Sequence, residues 1–267
     1  MKINYQYLEI EKNDHVAVVT LNRPEKLNAL SADLMEEVIQ AARAFHEDDD
    51  TRVVIFTGSG DCFSAGVDLT DEKFVQGLVN ASNLKKLRFL GLGPRMIRAV
   101  YEMDQITIAA VNGAAMGGGA CIAAACDFRI GADNCRVGYP EVGLAMNLSW
   151  TALPMCVHLI GPARAKQMVI LAEKVDAETL VEWGFLDAMV PASELMKAAQ
   201  AMAGKYAAQP PIAAQMVKRS VNAITSALDQ SIMHMDADQF LLTTQTKDYL
   251  EGVSAFLEKR APTFQGD

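Results

Sequence analysis

One stretch constrains this chain more than any other: "ITIAAVNGAAMGGGACIAAACD", residues 106–127. β-branched apolar residues, a glycine cluster and a run of small helix formers follow one another, with no charge before Asp127. That order reads as a buried strand, a tight loop and a helix. A helix start leaves its first N–H groups without intrahelical acceptors, and the dipole adds positive potential there. Glycines let another group come close to that backbone. The segment is therefore either an anion or oxyanion site or a turn that permits tight packing, and spacing does not separate the two. It is not a P-loop, because no Lys-Ser/Thr follows, and the G-x-G-x-x-G dinucleotide spacing is absent.

The same strand-then-loop order recurs upstream. "VAVVTLN" (16–22) reads as a buried strand ending at the turn "RPEK", and Ser31 is placed to cap a helix over "ADLMEEVIQAARAF". "VVIFTG" (53–58) is a second buried strand, and "DCFSAGVDL" (61–69) gives it a second backbone-exposing loop. With 106–113 as a third strand, the alternation predicts an α/β fold of crossover units around parallel sheet. From Gly161 onward the pattern is mainly helical, with a long amphipathic stretch from about Pro211. The expected division is a core over residues 1–200 and a helical C-terminal region over 201–267. At 267 residues and 51% hydrophobic, the chain has ample material for such a core.

Charge and cysteine usage exclude several functions. With 24 basic against 33 acidic residues, net −9, the chain is unsuited to nucleic acid, which needs a basic face. The five cysteines are odd in number and show no C-x-x-C pair, which predicts reduced thiols in a cytoplasmic protein. The N-terminal "MKINYQYLEI" lacks a signal-peptide apolar region, and no apolar run reaches the ~18–20 residues of a membrane span. His15, His46, His158 and His234 make no metal-ligand spacing, so no metal is expected. Ser64 in "FSAG" lacks the G-x-S-x-G elbow of a serine hydrolase.

Five segments in order, "LNRPEKLNALS" (21–31), "FSAGVDL" (63–69), "AAVNGAAMGGG" (109–119), "CDFRIGADNCRVGYPEVGL" (126–144) and "EGVSAFLEKRAPTFQG" (251–266), resemble the enoyl-CoA hydratase/isomerase (crotonase) family. The resemblance spans nearly the whole chain. It implies the crotonase, ClpP-like, spiral of ββα units with a helical C-terminal oligomerisation region, forming a homotrimer or a dimer of trimers. It implies an acyl-CoA substrate and no cofactor. It places an oxyanion hole on the Val67 and Gly118 amides, and the CoA portion along Lys26, Leu27, Ala65, Asp68 and Leu69, with Lys259 or Arg260 as a phosphate contact.

Hydratases of that family use two glutamates. The second aligns with Glu141; the position of the first holds Cys121. A thiol, with a reference pKa of ~8.5 against ~4.3 for Glu, is no substitute base, and burial raises it further. A packed, neutral Cys121 is the expectation. Isomerases of the same family manage with one glutamate, which moves a proton from C2 to C4, and they too carry a non-acidic residue at the position of Cys121. Isomerisation is thus narrowly preferred, with hydration and a low-turnover acyl-CoA binder as alternatives. Eight residues past Glu141, where several relatives place an aspartate, stands Ser149. It and its neighbours Asn147 and Trp150 are, with Cys121, the candidate acyl-pocket residues.

Overall fold

The computed structural model describes residues 5–78 and 81–267. In chain order the elements are β1 (Leu8–Asn13), β2 (Val16–Leu21), α1 (Ala32–Ala44), β3 (Val53–Gly58), β4 (Cys62–Ser64), α2 (Glu72–Leu78), α3 (Asn83–Leu90) and α4 (Leu92–Tyr101). There follow β5 (Ile106–Val111), β6 (Ala114–Met116), α5 (Gly118–Ala125), β7 (Phe128–Ala132), β8 (Arg136–Gly138), α6 (Ala152–Ile170), β9 (Val175–Asp176), α7 (Ala177–Trp183), β10 (Ala188–Val190) and α8 (Leu195–Ala207). The tail carries α9 (Pro211–Thr225), α10 (Gln230–Met233), α11 (Asp236–Thr243) and α12 (Lys247–Glu258).

A long strand, a short strand and then helix recurs at β3–β4, β5–β6 and β7–β8, which is the expected ββα spiral. The long strands build a sheet in the order β1-β2-β3-β5-β7-β10, parallel except for the β1–β2 hairpin. The short ones stack in a second sheet, β4-β6-β8-β9. β3 is buried along its whole length, as a strand covered on both faces must be. Ser31 caps α1, its Oγ accepting the Leu34 N–H at 3.2 Å. The apolar stripe Leu34, Met35, Val38, Ile39 and Ala42 then faces the core.

Two predicted boundaries shift. The third strand stops at Val111, because the Asn112 amide donates to the Gly58 and Gly60 carbonyls while its oxygen accepts the Gly58 N–H, which turns the chain. The helix expected from Gly161 begins at Ala152 instead and is kinked there: Gly161 is non-helical and Pro162 has no N–H to donate. The division expected near residue 200 falls within α8, whose buried Leu195, Ala199, Ala203 and Ala207 pack on the large sheet.

Beyond it, the amphipathic stretch from Pro211 forms the helices α9 to α12. α9 is pinned by Lys218, only 7% exposed, whose Nζ lies 2.7 Å from Asp127 Oδ2 and donates to the Gln105 carbonyl at 2.7 Å. Its other face leaves Ile212, Met216, Val217, Val221 and Ile224 exposed. No helix among the described residues is long and apolar enough to cross a membrane.

Candidate active site

The loop after β4 is over-determined by hydrogen bonds. Asn28, buried, donates from its amide to the Ser59 and Cys62 carbonyls. Ser64 Oγ donates to the Asn28 carbonyl at 2.8 Å and accepts the Gly66 N–H at 3.2 Å, so this fully buried hydroxyl is a brace and not a nucleophile. The Ala65 N–H goes to Leu27 O and the Asp68 N–H to Leu30 O. Among the described hydrogen bonds, every amide of residues 65–68 is therefore spent except that of Val67.

The second loop repeats the pattern. Gly117 N–H donates to Gly138 O and Cys121 N–H to Gly117 O, whereas the Gly118 amide, first residue of α5, has no acceptor among the described hydrogen bonds. The two loops touch: a Cβ built on Gly66 would stand 3.5 Å from the Gly118 nitrogen and 2.8 Å from the Met116 carbonyl. Gly66 also has φ +90°, which side chains rarely adopt. Gly66→Ala is expected to push the loops apart, lowering kcat at least tenfold and stability by about 1–3 kcal/mol. Steady-state kinetics and chemical denaturation check both numbers.

Val67 and Gly118 both line a cavity of about 520 Å³. Glu141 closes one side, with its Oε1 2.9 Å from where a Gly117 Cβ would lie. Its Oε2 is buried with no hydrogen-bond partner among the described residues, and burial raises the carboxyl from 4.5 to about 7. The other carboxylate on the cavity wall, Asp68, is engaged: Arg23 Nη2 donates to it at 3.1 Å, and Thr70 donates both its N–H and its hydroxyl. Asp68 is accordingly held below the usual carboxylate range against the opposing effect of burial. Cys121, 1% exposed, lines the same cavity; burial foremost, then the charge of Glu141, pushes its thiol well above its ordinary value. The thiol is a neutral wall.

Lys26, Leu27, Ala65 and Leu69 line the cavity with Asp68, as do Ser149 and Trp150. Asn147 and Lys259 do not; Asn147 reaches α11 instead, donating to Gln239 at 3.4 Å, and Lys259 ends α12 in a left-handed turn. Arg260 is tied to Glu251 and Glu258. The histidines pair singly elsewhere, His158 with Asp229 and His46 with Asp104. No three His, Cys, Asp or Glu side chains among the described residues converge to hold a metal ion.

Sequence reasoning missed the roof. Phe240, Tyr249, Phe256 and Leu257, from α11 and α12, cover the cavity, and nothing in their spacing separates them from ordinary helix packing. It also missed Gly93, although the glycine pair in "GLGP" (91–94) was a signal for a close approach. A larger hollow of about 670 Å³ lies between α9 and the sheet, lined by the Lys218–Asp127 and His158–Asp229 pairs and by none of these candidate residues.

The model of the family described as enoyl-CoA hydratase/isomerase matches residues 11–267. The chain belongs to that family. It is 36% identical to crotonyl-CoA hydratase of Syntrophomonas wolfei over 97% of this chain and 98% of that protein. It is 33% identical to a short-chain-enoyl-CoA hydratase of Clostridium acetobutylicum over 94% of each. An enoyl-CoA hydratase structure from Mycobacterium avium subsp. paratuberculosis superimposes with a TM-score of 0.86 at 25% identity, covering 98% of this chain and all of that one. One from Bacillus anthracis gives 0.76 at 32% identity, over 98% and 100%. The ββα spiral is thus the crotonase fold, and the chain is an enzyme of the hydratase/isomerase class.

Proposed function

We propose that the enzyme moves the double bond of an acyl-CoA thioester, using Glu141 as its single acid/base group and the Val67 and Gly118 amides as its oxyanion hole. One observation carries this reading: of the two carboxylates on the cavity wall, only Glu141 is free of a cation, and position 121 holds a neutral thiol. Ionised Glu141 removes a proton from C2 of a 3-enoyl thioester. The electron pair moves onto the thioester oxygen, giving a dienolate held by both amides, and each such donor lowers the barrier by ~2.7–4 kcal/mol. Protonated Glu141 then returns the proton at C4, leaving the 2-enoyl product. A carboxyl with a pKa of about 7 is suited to both halves, since it gains and loses its proton with equal ease at neutral pH. CoA lies along Lys26, Leu27, Ala65 and Leu69, with Asp68 bracing the loop, and no cofactor takes part.

Hydration is the second reading, favoured by the names of the relatives above; water addition would then proceed with one carboxylate. Ultraviolet absorbance of the conjugated thioester separates the readings. We expect signal to build from 3-enoyl-CoA faster than it bleaches from 2-enoyl-CoA. Faster bleaching makes hydration the main reaction, and silence with both leaves an acyl-CoA binder. The exposed apolar row on α9 supports the trimer or dimer of trimers expected of this family.

A further inference from the structure

Trp150 occupies an unusual seat. It and Thr151 are consecutive non-glycine residues with φ of +62°, and this turn delivers the indole into the cavity. Two helices leave their backbone bare to receive the ring. A Cβ on Gly93 of α4 would lie 2.0 Å from Trp150 Cε2, and one on Gly118 of α5 would lie 2.5 Å from its Cζ3. The indole therefore bridges α4 and α5 and stands against Gly118, one of the two residues proposed above to hold the thioester oxygen. The turn is held from far along the chain: the Thr151 N–H donates at 2.8 Å to Oδ2 of Asp236, a buried carboxylate at the start of α11. The Thr151 hydroxyl is buried with no partner among the described residues, so the Asp236 contact joins the Ala152 N–H to Ser149 O bond, 3.2 Å, in holding the turn.

We propose that Trp150 is the end wall of the acyl pocket and limits the substrate to short acyl chains, with Asp236 as the positioning residue that keeps the wall in place. The proposal rests on the acyl-CoA reading above. An acyl chain running from Gly118 toward α4 meets the indole, which stands between Gly118 and Gly93. Removing the ring joins that space to the gap beside Gly93 and Cys121.

Saturated acyl-CoAs test this by calorimetric binding, independently of the chemical step. Wild-type protein is expected to bind butyryl-CoA at least as tightly as dodecanoyl-CoA. In Trp150→Ala, the affinity for dodecanoyl-CoA relative to butyryl-CoA should rise at least ~10-fold over wild type, since each methylene buried is worth roughly fourfold. Asp236→Ala should shift the ratio in the same direction, and Asp236→Asn, which keeps an acceptor oxygen, should stay with wild type. Trp150→Phe gives the same readout if the alanine variant does not fold. A Trp150 variant whose ratio stays within twofold of wild type overturns the wall, as does a wild type that prefers the long chain. An Asp236→Ala ratio equal to wild type overturns the positioning role. Failure of every thioester to bind is a separate result, which removes the acyl-CoA reading itself.

Discussion

Glu141→Gln is expected to abolish thioester turnover, by about 10²–10⁴-fold, and at the same time to make the fold more stable at pH 8. The two effects have one cause. Burial without a hydrogen-bonding partner for Oε2 raises this carboxyl from 4.5 to about 7. At pH 5–7 the folded chain holds a proton there that the unfolded chain has already released, so its stabilising effect fades as pH rises and is gone above about 7. Keeping the charge buried at pH 8 then costs the fold about 3 kcal/mol. A neutral amide removes most of this, so Glu141→Gln should gain roughly 1–3 kcal/mol at pH 8 and nothing at pH 4. Urea denaturation at both values measures it. In wild type, kcat/KM should climb with pH through a midpoint near 7, because the free enzyme needs the ionised base. A variant keeping a tenth of wild-type activity would remove Glu141 from the reaction. Equal stability at pH 8 would refute the burial argument.

The second large effect is a gain. Cys121→Glu is expected to raise water addition to 2-enoyl-CoA by about 10²–10⁴-fold, whereas Cys121→Ala should leave isomerisation within about threefold of wild type. The thiol lines the cavity beside Glu141 and stays neutral, so it contributes shape alone. A carboxyl in its place would face a neighbour that already titrates near 7, and two such groups cannot both ionise cheaply. One proton shared between two carboxyls leaves one base and one acid, the pair that water addition requires. If Cys121→Ala falls as far as Glu141→Gln, the thiol takes part in the chemistry. If Cys121→Glu adds no hydration, some other feature limits that reaction.

What could be read from the sequence follows from how each signal is stored. β3 and β5 announce themselves because a strand covered on both faces is a continuous apolar run, and β2 is as apolar although its alternate residues are only half-buried. The three-residue strands β4, β6 and β8 are too short for any periodicity. The free amides at 67 and 118 were reachable only through the family resemblance, since a spent and an unspent N–H look the same in a sequence. The link between Thr151 and Asp236 spans 85 positions and leaves no local trace. Trp150 could be named as a pocket residue, but its seat needed Gly93, which lies on another helix.

The covering helices α11 and α12 lie on the same polypeptide as the groups they cover, from Val67 to Glu141. Their packing on the cavity is therefore an intramolecular contact, indifferent to how many other copies are in solution. Each chain supplies these wall residues to its own cavity.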